Sequence, residues 1–168
     1  VPTWDPNKKP ASFGKPESLG YGWNVLKKGE PYDGYGTAFW DNMGKVTKNL
    51  EGCASRVVMD RAVPFIKKAA KTNTPFLAVI WFHAPHLPVV AGPEYAEIYK
   101  DQSFRMQQYA GCITAIDDQI KRLRKELQAL GIEDDTMVWF TSDNGPEGKD
   151  IGSAGEFRGR KRSFYEGG

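Results

Sequence analysis

The chain has 168 residues, 40% of them hydrophobic and 26% charged, and its 23 Lys+Arg against 21 Asp+Glu give a formal net charge of +2. That length carries one domain with a sizeable core, and the near balance of charge gives no general pull toward nucleic acid or a membrane surface. No apolar run approaches the ~20 residues of a membrane span, and Cys53 and Cys112 are too few for a disulfide framework.

The chain opens on Val1-Pro2-Thr3-Trp4, which is neither a signal peptide nor an initiator Met, so processing or truncation is expected to have removed what came before. Residues 1–50 read as a loop-rich segment. The first 44 residues hold five of the 11 prolines and seven of the 18 glycines, with no helical or alternating period. The aromatic residues among them, Trp4, Phe13, Tyr21, Trp23, Tyr32, Tyr35, Phe39 and Trp40, are too many for a disordered linker. Such a segment is expected to drape over a larger body.

Regular structure is expected from Ser55, a plausible N-cap. Val58, Ala62, Phe65, Ile66 and Ala69 then recur at three- to four-residue spacing, with Pro64 inside the stripe. Phe76-Leu77-Ala78-Val79-Ile80-Trp81-Phe82 follows, apolar without alternation, as in a strand buried on both faces of a parallel sheet. A long helix is expected from Phe104 to Leu130, on the stripe Met106, Tyr109, Ile113, Ile116, Ile120, Leu123, Leu127 and Leu130, with Gly131 closing it. Met137-Val138-Trp139-Phe140 returns as a second short strand, bounded by Asp134-Asp135 and by Gly145-Pro146. Strand, helix, strand is a βαβ unit, so the expected class is α/β, with helices flanking a mostly parallel sheet.

Ligands in open α/β folds bind beyond the carboxyl ends of the strands. The first strand runs into His83-Ala84-Pro85-His86 and the second into Ser142-Asp143-Asn144-Gly145, so the two histidines and the Asp-Asn pair are expected at one sheet edge. Asp, Asn and Gly are ordinary turn residues. As hard oxygen donors, Asp143 and Asn144 also suit Ca²⁺ or Mg²⁺ better than Zn²⁺. The basic excess is local, in Arg158, Arg160, Lys161 and Arg162. A lysine delivered by that glycine-flanked loop suits a tetrahedral oxyanion such as sulfate or phosphate.

Taken in order, His83-Ala84-Pro85-His86-Leu87-Pro88, Tyr109 through Asp117-Asp118, Thr141-Ser142-Asp143-Asn144-Gly145-Pro146, and Arg158-Gly159-x-Lys161-x-Ser163-x-Tyr165-Glu166-Gly167-Gly168 resemble the sulfatase family. Glu51-Gly52, Ser55-Arg56 and Met59-Asp60-Arg61-Ala62 resemble its bacterial arylsulfatase type. The resemblance is firmest over residues 51–168, the α/β portion. It implies an alkaline-phosphatase-like catalytic domain, present here as an incomplete internal piece, that hydrolyses aryl or carbohydrate sulfate esters with one Ca²⁺. By position, Asp143 and Asn144 match metal ligands, and Lys161 matches the lysine that holds the sulfate oxygens. His83 matches the histidine that contacts sulfate and assists the leaving oxygen, and His86 a second position facing the substrate. Export of the complete protein to the periplasm or beyond also follows from the resemblance, whereas oligomeric state does not.

The chain departs from the pattern at the nucleophile. Family members carry Cys-x-Pro/Ala-Ser-Arg, whose cysteine becomes formylglycine; Cys53-Ala54-Ser55-Arg56 is one residue short and precedes the histidine motif, so it reads as coincidence. No upstream carboxylate pair is present either, and the 168 residues alone are expected to be inactive. Two alternatives stand beside sulfate-ester hydrolysis: a phosphatase, phosphodiesterase or phosphonate hydrolase of the same superfamily, and a non-catalytic homologue.

Overall fold

A computed structural model describes residues 4–5, 39–50, 52–87, 89–147 and 151–168. Most of the loop-rich 1–50 segment therefore lies outside the described residues. The chain folds as two compact units, Val1–Asp134 and Asp135–Gly168.

In the first unit β1 (Trp4–Asp5) pairs antiparallel with β4 (Gly52–Cys53), and β2 (Trp40–Asp41) pairs with β3 (Gly44–Lys45) as a small hairpin. Three helices follow: α1 (Ala54–Lys71), α2 (Pro93–Glu97) and α3 (Phe104–Ala129). The cap of α1 is Cys53, not Ser55, and Ser55 is buried in the first turn. Its inward row is Val57, Met59, Val63, Ile66 and Ala69, while Phe65 is half exposed and packs edge-to-face on Phe76. Apolar residues lie on both sides of that row, so the sequence period alone places its phase about one residue off.

α3 begins where its cap dictates: the Ser103 hydroxyl accepts a hydrogen bond from the Met106 N–H at 3.3 Å. It ends at Gly131, in the left-handed region at φ 68°. The C-terminal half buries Ile116, Leu123 and Leu127 as expected, and Leu123 and Leu127 join Met59, Val63 and Ile66 in the core. In the N-terminal half the inward residues are Gln108, Gly111, Cys112 and Ala115, and Ile113 faces out. Close approach decides this: a Cβ on Gly111 would sit 2.7 Å from the Ala91 Cβ, so only a small-residue face admits the buried 89–91 stretch and α2. Gln108, fully buried, accepts the Ala91 N–H at 2.9 Å. Cys53 and Cys112 are not joined in a disulfide.

Residues 76–82 differ from the expectation of a strand buried on both faces. The stretch is extended, with Phe76, Ile80 and Phe82 packed on the α1–α3 core, while Leu77, Val79 and Trp81 are 84%, 67% and 84% exposed. Residues 137–140 are exposed throughout. Among the described residues neither stretch is paired in a ladder, so the two-stranded pairs above are the sheets observed.

Asp60 ties the first unit together. Its carboxylate takes hydrogen bonds from Asn49, Arg56 and Arg122, linking the loop before α1 to α1 and α3. Asn49 reaches it from a left-handed backbone, φ 57°, a conformation asparagine tolerates. Partial burial alone would raise the Asp60 pKa; the hydrogen bonds from Asn49 and Arg122 and the charges of Arg56 and Arg122 outweigh it and hold the pKa low. The stabilisation is thus present above the ordinary carboxylate pKa and is lost as pH falls through the depressed value. Asp60→Asn should lower stability by about 1–3 kcal/mol near neutral pH, the scale of removing a charged hydrogen-bond partner. Thermal unfolding at pH 7 and pH 3 checks this: the variant's deficit shrinks at the lower pH.

Candidate functional site

The second unit brings together two loops through a glycine-lined contact. After residue 140 the chain turns sharply, with the Ser142 hydroxyl donating to the Asn144 carbonyl at 2.7 Å. The Asn144 amide nitrogen donates to the Gly145 carbonyl at 2.8 Å, which fixes the carboxamide. Asp143 is exposed and Asn144 half-buried. Among the described residues no hydrogen bond engages the Asp143 carboxylate or the Asn144 Oδ1. Both oxygens are therefore available to a hard cation.

The basic loop closes on itself and then on this turn. Gly167 N–H donates to Arg158 O at 2.7 Å, Gly168 N–H to Tyr165 O at 2.8 Å, and Ser163 N–H to Arg160 O at 2.9 Å. The Arg158 guanidinium lies 4.7 Å from the centre of the Tyr165 ring and 3.3 Å from the Glu166 carboxylate, closing the loop from outside. Two backbone bonds then join loop and turn: Gly145 N–H to Gly168 O at 3.0 Å, and Lys161 N–H to Pro146 O at 3.3 Å. The approach is close enough that a Cβ on Gly145 would lie 1.7 Å from Gly167 O. The loop that carries Lys161 is thereby joined through its backbone to the turn that carries Asp143 and Asn144. Its ammonium lies 3.5 Å from Glu147, whose carboxylate also takes Arg162.

Sequence motifs do not single out Glu147, although an acid placed immediately after Asp143-Asn144-Gly145-Pro146 and opposite in charge to Lys161-Arg162 is a usable signal. Desolvation raises its pKa, and the hydrogen bonds and charges of Arg162 and Lys161 together outweigh this and hold it low, so it is a carboxylate at neutral pH.

His83 and His86 belong to the first unit, on a turn that contains a cis Ala84–Pro85 peptide and is closed by the His86 N–H donating to His83 O at 2.9 Å. Their rings are 4.8 Å apart, tilted by 41°, and the His86 Nδ1 lies 2.7 Å from the Leu87 carbonyl oxygen. Crowding of the His83 ring by neighbouring atoms, and less strongly the charge of His86, holds its pKa below the ordinary 6.5. Protonating His83 thus opposes the folded state, and the effect grows as pH falls through the depressed pKa. In an NMR titration the His83 midpoint should fall below 6.5, and His86→Gln should move it part of the way back. A midpoint at or above 6.5 in the parent chain would contradict this placement.

Among the described residues no three His, Cys, Asp or Glu side chains gather as a metal cluster. Among the described residues no helix is long and apolar enough to cross a membrane.

Comparison with known proteins converges on one family. The family model described as Sulfatase matches residues 3–168. An ulvan-active sulfatase from Formosa agariphila is 29% identical over 140 residues, covering 73% of this chain and 27% of that protein. The human N-acetylgalactosamine-6-sulfatase is 32% identical over 127 residues, covering 72% and 23%. The uncharacterized sulfatase YdeN of Escherichia coli K12 is 31% identical over 117 residues, covering 66% and 21%. The chain thus spans about a quarter of the length of the curated relatives it matches. Among solved structures, the crystal structure of Ps i-CgsB superposes with a TM-score of 0.52 at 25% identity, over 56% of this chain and 21% of that one.

Proposed function

Because the chain belongs to the sulfatase family, we propose that the complete protein hydrolyses a sulfate ester, aryl or carbohydrate, and that this chain supplies part of its cation and sulfate site. The observation that supports the reading is the contact of the two loops in the second unit: Gly145 N–H to Gly168 O and Lys161 N–H to Pro146 O join the loop that carries Lys161 to the turn that carries Asp143 and Asn144.

Asp143 and Asn144 are the residues that would hold a Ca²⁺ ion, and the unengaged carboxylate and Asn144 Oδ1 fit that role. A bound divalent ion supplies charge neutralisation on the ester oxygens. Lys161 binds the sulfate oxygens and stabilises the negative charge that develops as the ester bond breaks. His83 donates a proton to the leaving oxygen, and its depressed pKa makes it the stronger acid at the cost of a smaller protonated population near neutrality. His86 contacts the substrate. In the complete protein, residues 76–82 and 137–141 serve as strands of a mostly parallel sheet, which accounts for the exposed Leu77, Val79 and Trp81. Export is part of the same reading, and cell fractionation tests it.

The deciding experiment assays the complete protein on a matched aryl sulfate and aryl phosphate with Ca²⁺. Preference for the sulfate supports the reading, preference for the phosphate assigns a phosphatase, and no turnover of either assigns a non-catalytic homologue.

A further inference from the structure

We propose that Glu147 is a positioning residue for Lys161, holding its ammonium beside the Asp143-Asn144 turn. This rests on the sulfatase reading of that site and adds to it a residue that the site motifs do not contain.

Three observations point the same way. Glu147 follows directly on the turn, so its side chain and the Pro146 carbonyl that accepts the Lys161 N–H are one residue apart; the turn grips Lys161 at both its backbone and its tip. The division of the carboxylate is unequal. Arg162 takes Oε1 at 2.5 Å, whereas the Lys161 ammonium stands 3.5 Å from Oε2, a loose pairing that orients it while leaving its N–H groups for another anion. Arg162 also has φ 74°, the left-handed region that a long side chain rarely occupies. That backbone turn sits between Lys161 and Ser163, whose hydroxyl accepts the Arg160 N–H at 3.0 Å, so the loop is fixed on both sides of Arg162. Lys161 is the more sheltered of the two cations, its side chain 24% exposed against 75% for Arg162. An exposed surface pair contributes little by itself, but orienting a long, flexible cation removes rotational freedom that it would otherwise lose on meeting substrate.

The test is a double-mutant cycle in the complete protein on an aryl sulfate, with circular dichroism to confirm folding. Glu147→Gln should lower kcat/KM about 10-fold, within the range of coupling between contacting groups. Glu147→Asp, which keeps the charge on a shorter stem, should recover most of that loss. Added to Lys161→Ala, Glu147→Gln should cost no more than about twofold, because the group it positions is gone. Unchanged kcat/KM in Glu147→Gln overturns the proposal, as does an increase, which would mean that Glu147 competes with substrate for Lys161. A full 10-fold loss on top of Lys161→Ala also overturns it, by showing that Glu147 acts elsewhere. If Lys161→Ala is inactive while Glu147→Gln equals the parent, the sulfatase reading stands and only this inference falls. Absence of turnover in the parent protein removes both.

Discussion

Gly145→Ala should silence the complete protein, with turnover down by roughly 10²-fold or more, the scale on which ångström misplacement of reacting groups acts. The new methyl would lie 1.7 Å from the Gly167 carbonyl oxygen and 2.8 Å from its carbon. Both are backbone atoms, so no side-chain rotation relieves the overlap, and the loops must separate. Separation breaks the Gly145–Gly168 hydrogen bond and moves Lys161 away from Asp143 and Asn144. The helical core belongs to the other unit, which holds Met59, Val63, Ile66, Leu123 and Leu127. Far-ultraviolet circular dichroism should therefore be unchanged while activity is lost. Activity within twofold of the parent would show that the loop contact does not position the site.

The second large effect concerns the cation. Replacing Asp143 and Asn144 together with Ala should remove bound Ca²⁺ and bring turnover down to the buffer blank. The turn itself should persist, because its link to the lysine loop runs through the Gly145 N–H and the Pro146 carbonyl, not through the two side chains. What disappears is a carboxylate and a carboxamide oxygen, for a cation that takes six to eight oxygens. Metal content of the purified double variant decides the matter, and an unchanged stoichiometry would mean that the ligands are elsewhere.

The helices are legible in the sequence because their signals are local. The Ser103 cap and Gly131 set the limits of α3, and the spacing of Ile116, Leu123 and Leu127 marks the face of its second half. Its first half is misread from periodicity because Gly111, Cys112 and Ala115 carry little hydrophobic signal, and their burial is set by the distant 89–91 stretch. In α1, hydrophobicity places Phe65 inward, yet Phe76 covers it from the flank. The 76–82 run reads as a doubly buried strand from composition, but what covers its second face is not a property of the run. The candidate site is legible as residue types in a fixed order. The contact that joins the Asp143–Asn144 turn to the Lys161 loop depends on the absence of a side chain at Gly145, which sequence registers only as another turn glycine. Glu147 escapes a sequence reading for a similar reason, since its meaning comes from a partner 14 residues away.

The most direct measurement is kcat/KM for an aryl sulfate in Lys161→Ala, taken together with bound Ca²⁺. The substitution is clean, because the main-chain bond from residue 161 to Pro146 O does not need the lysine side chain. Loss of the ammonium should cut turnover by roughly 10²-fold, the scale for one preorganised charge-stabilising group, while Ca²⁺ content stays at the parent level. Parent-level turnover in Lys161→Ala would contradict the assignment of this loop to the sulfate.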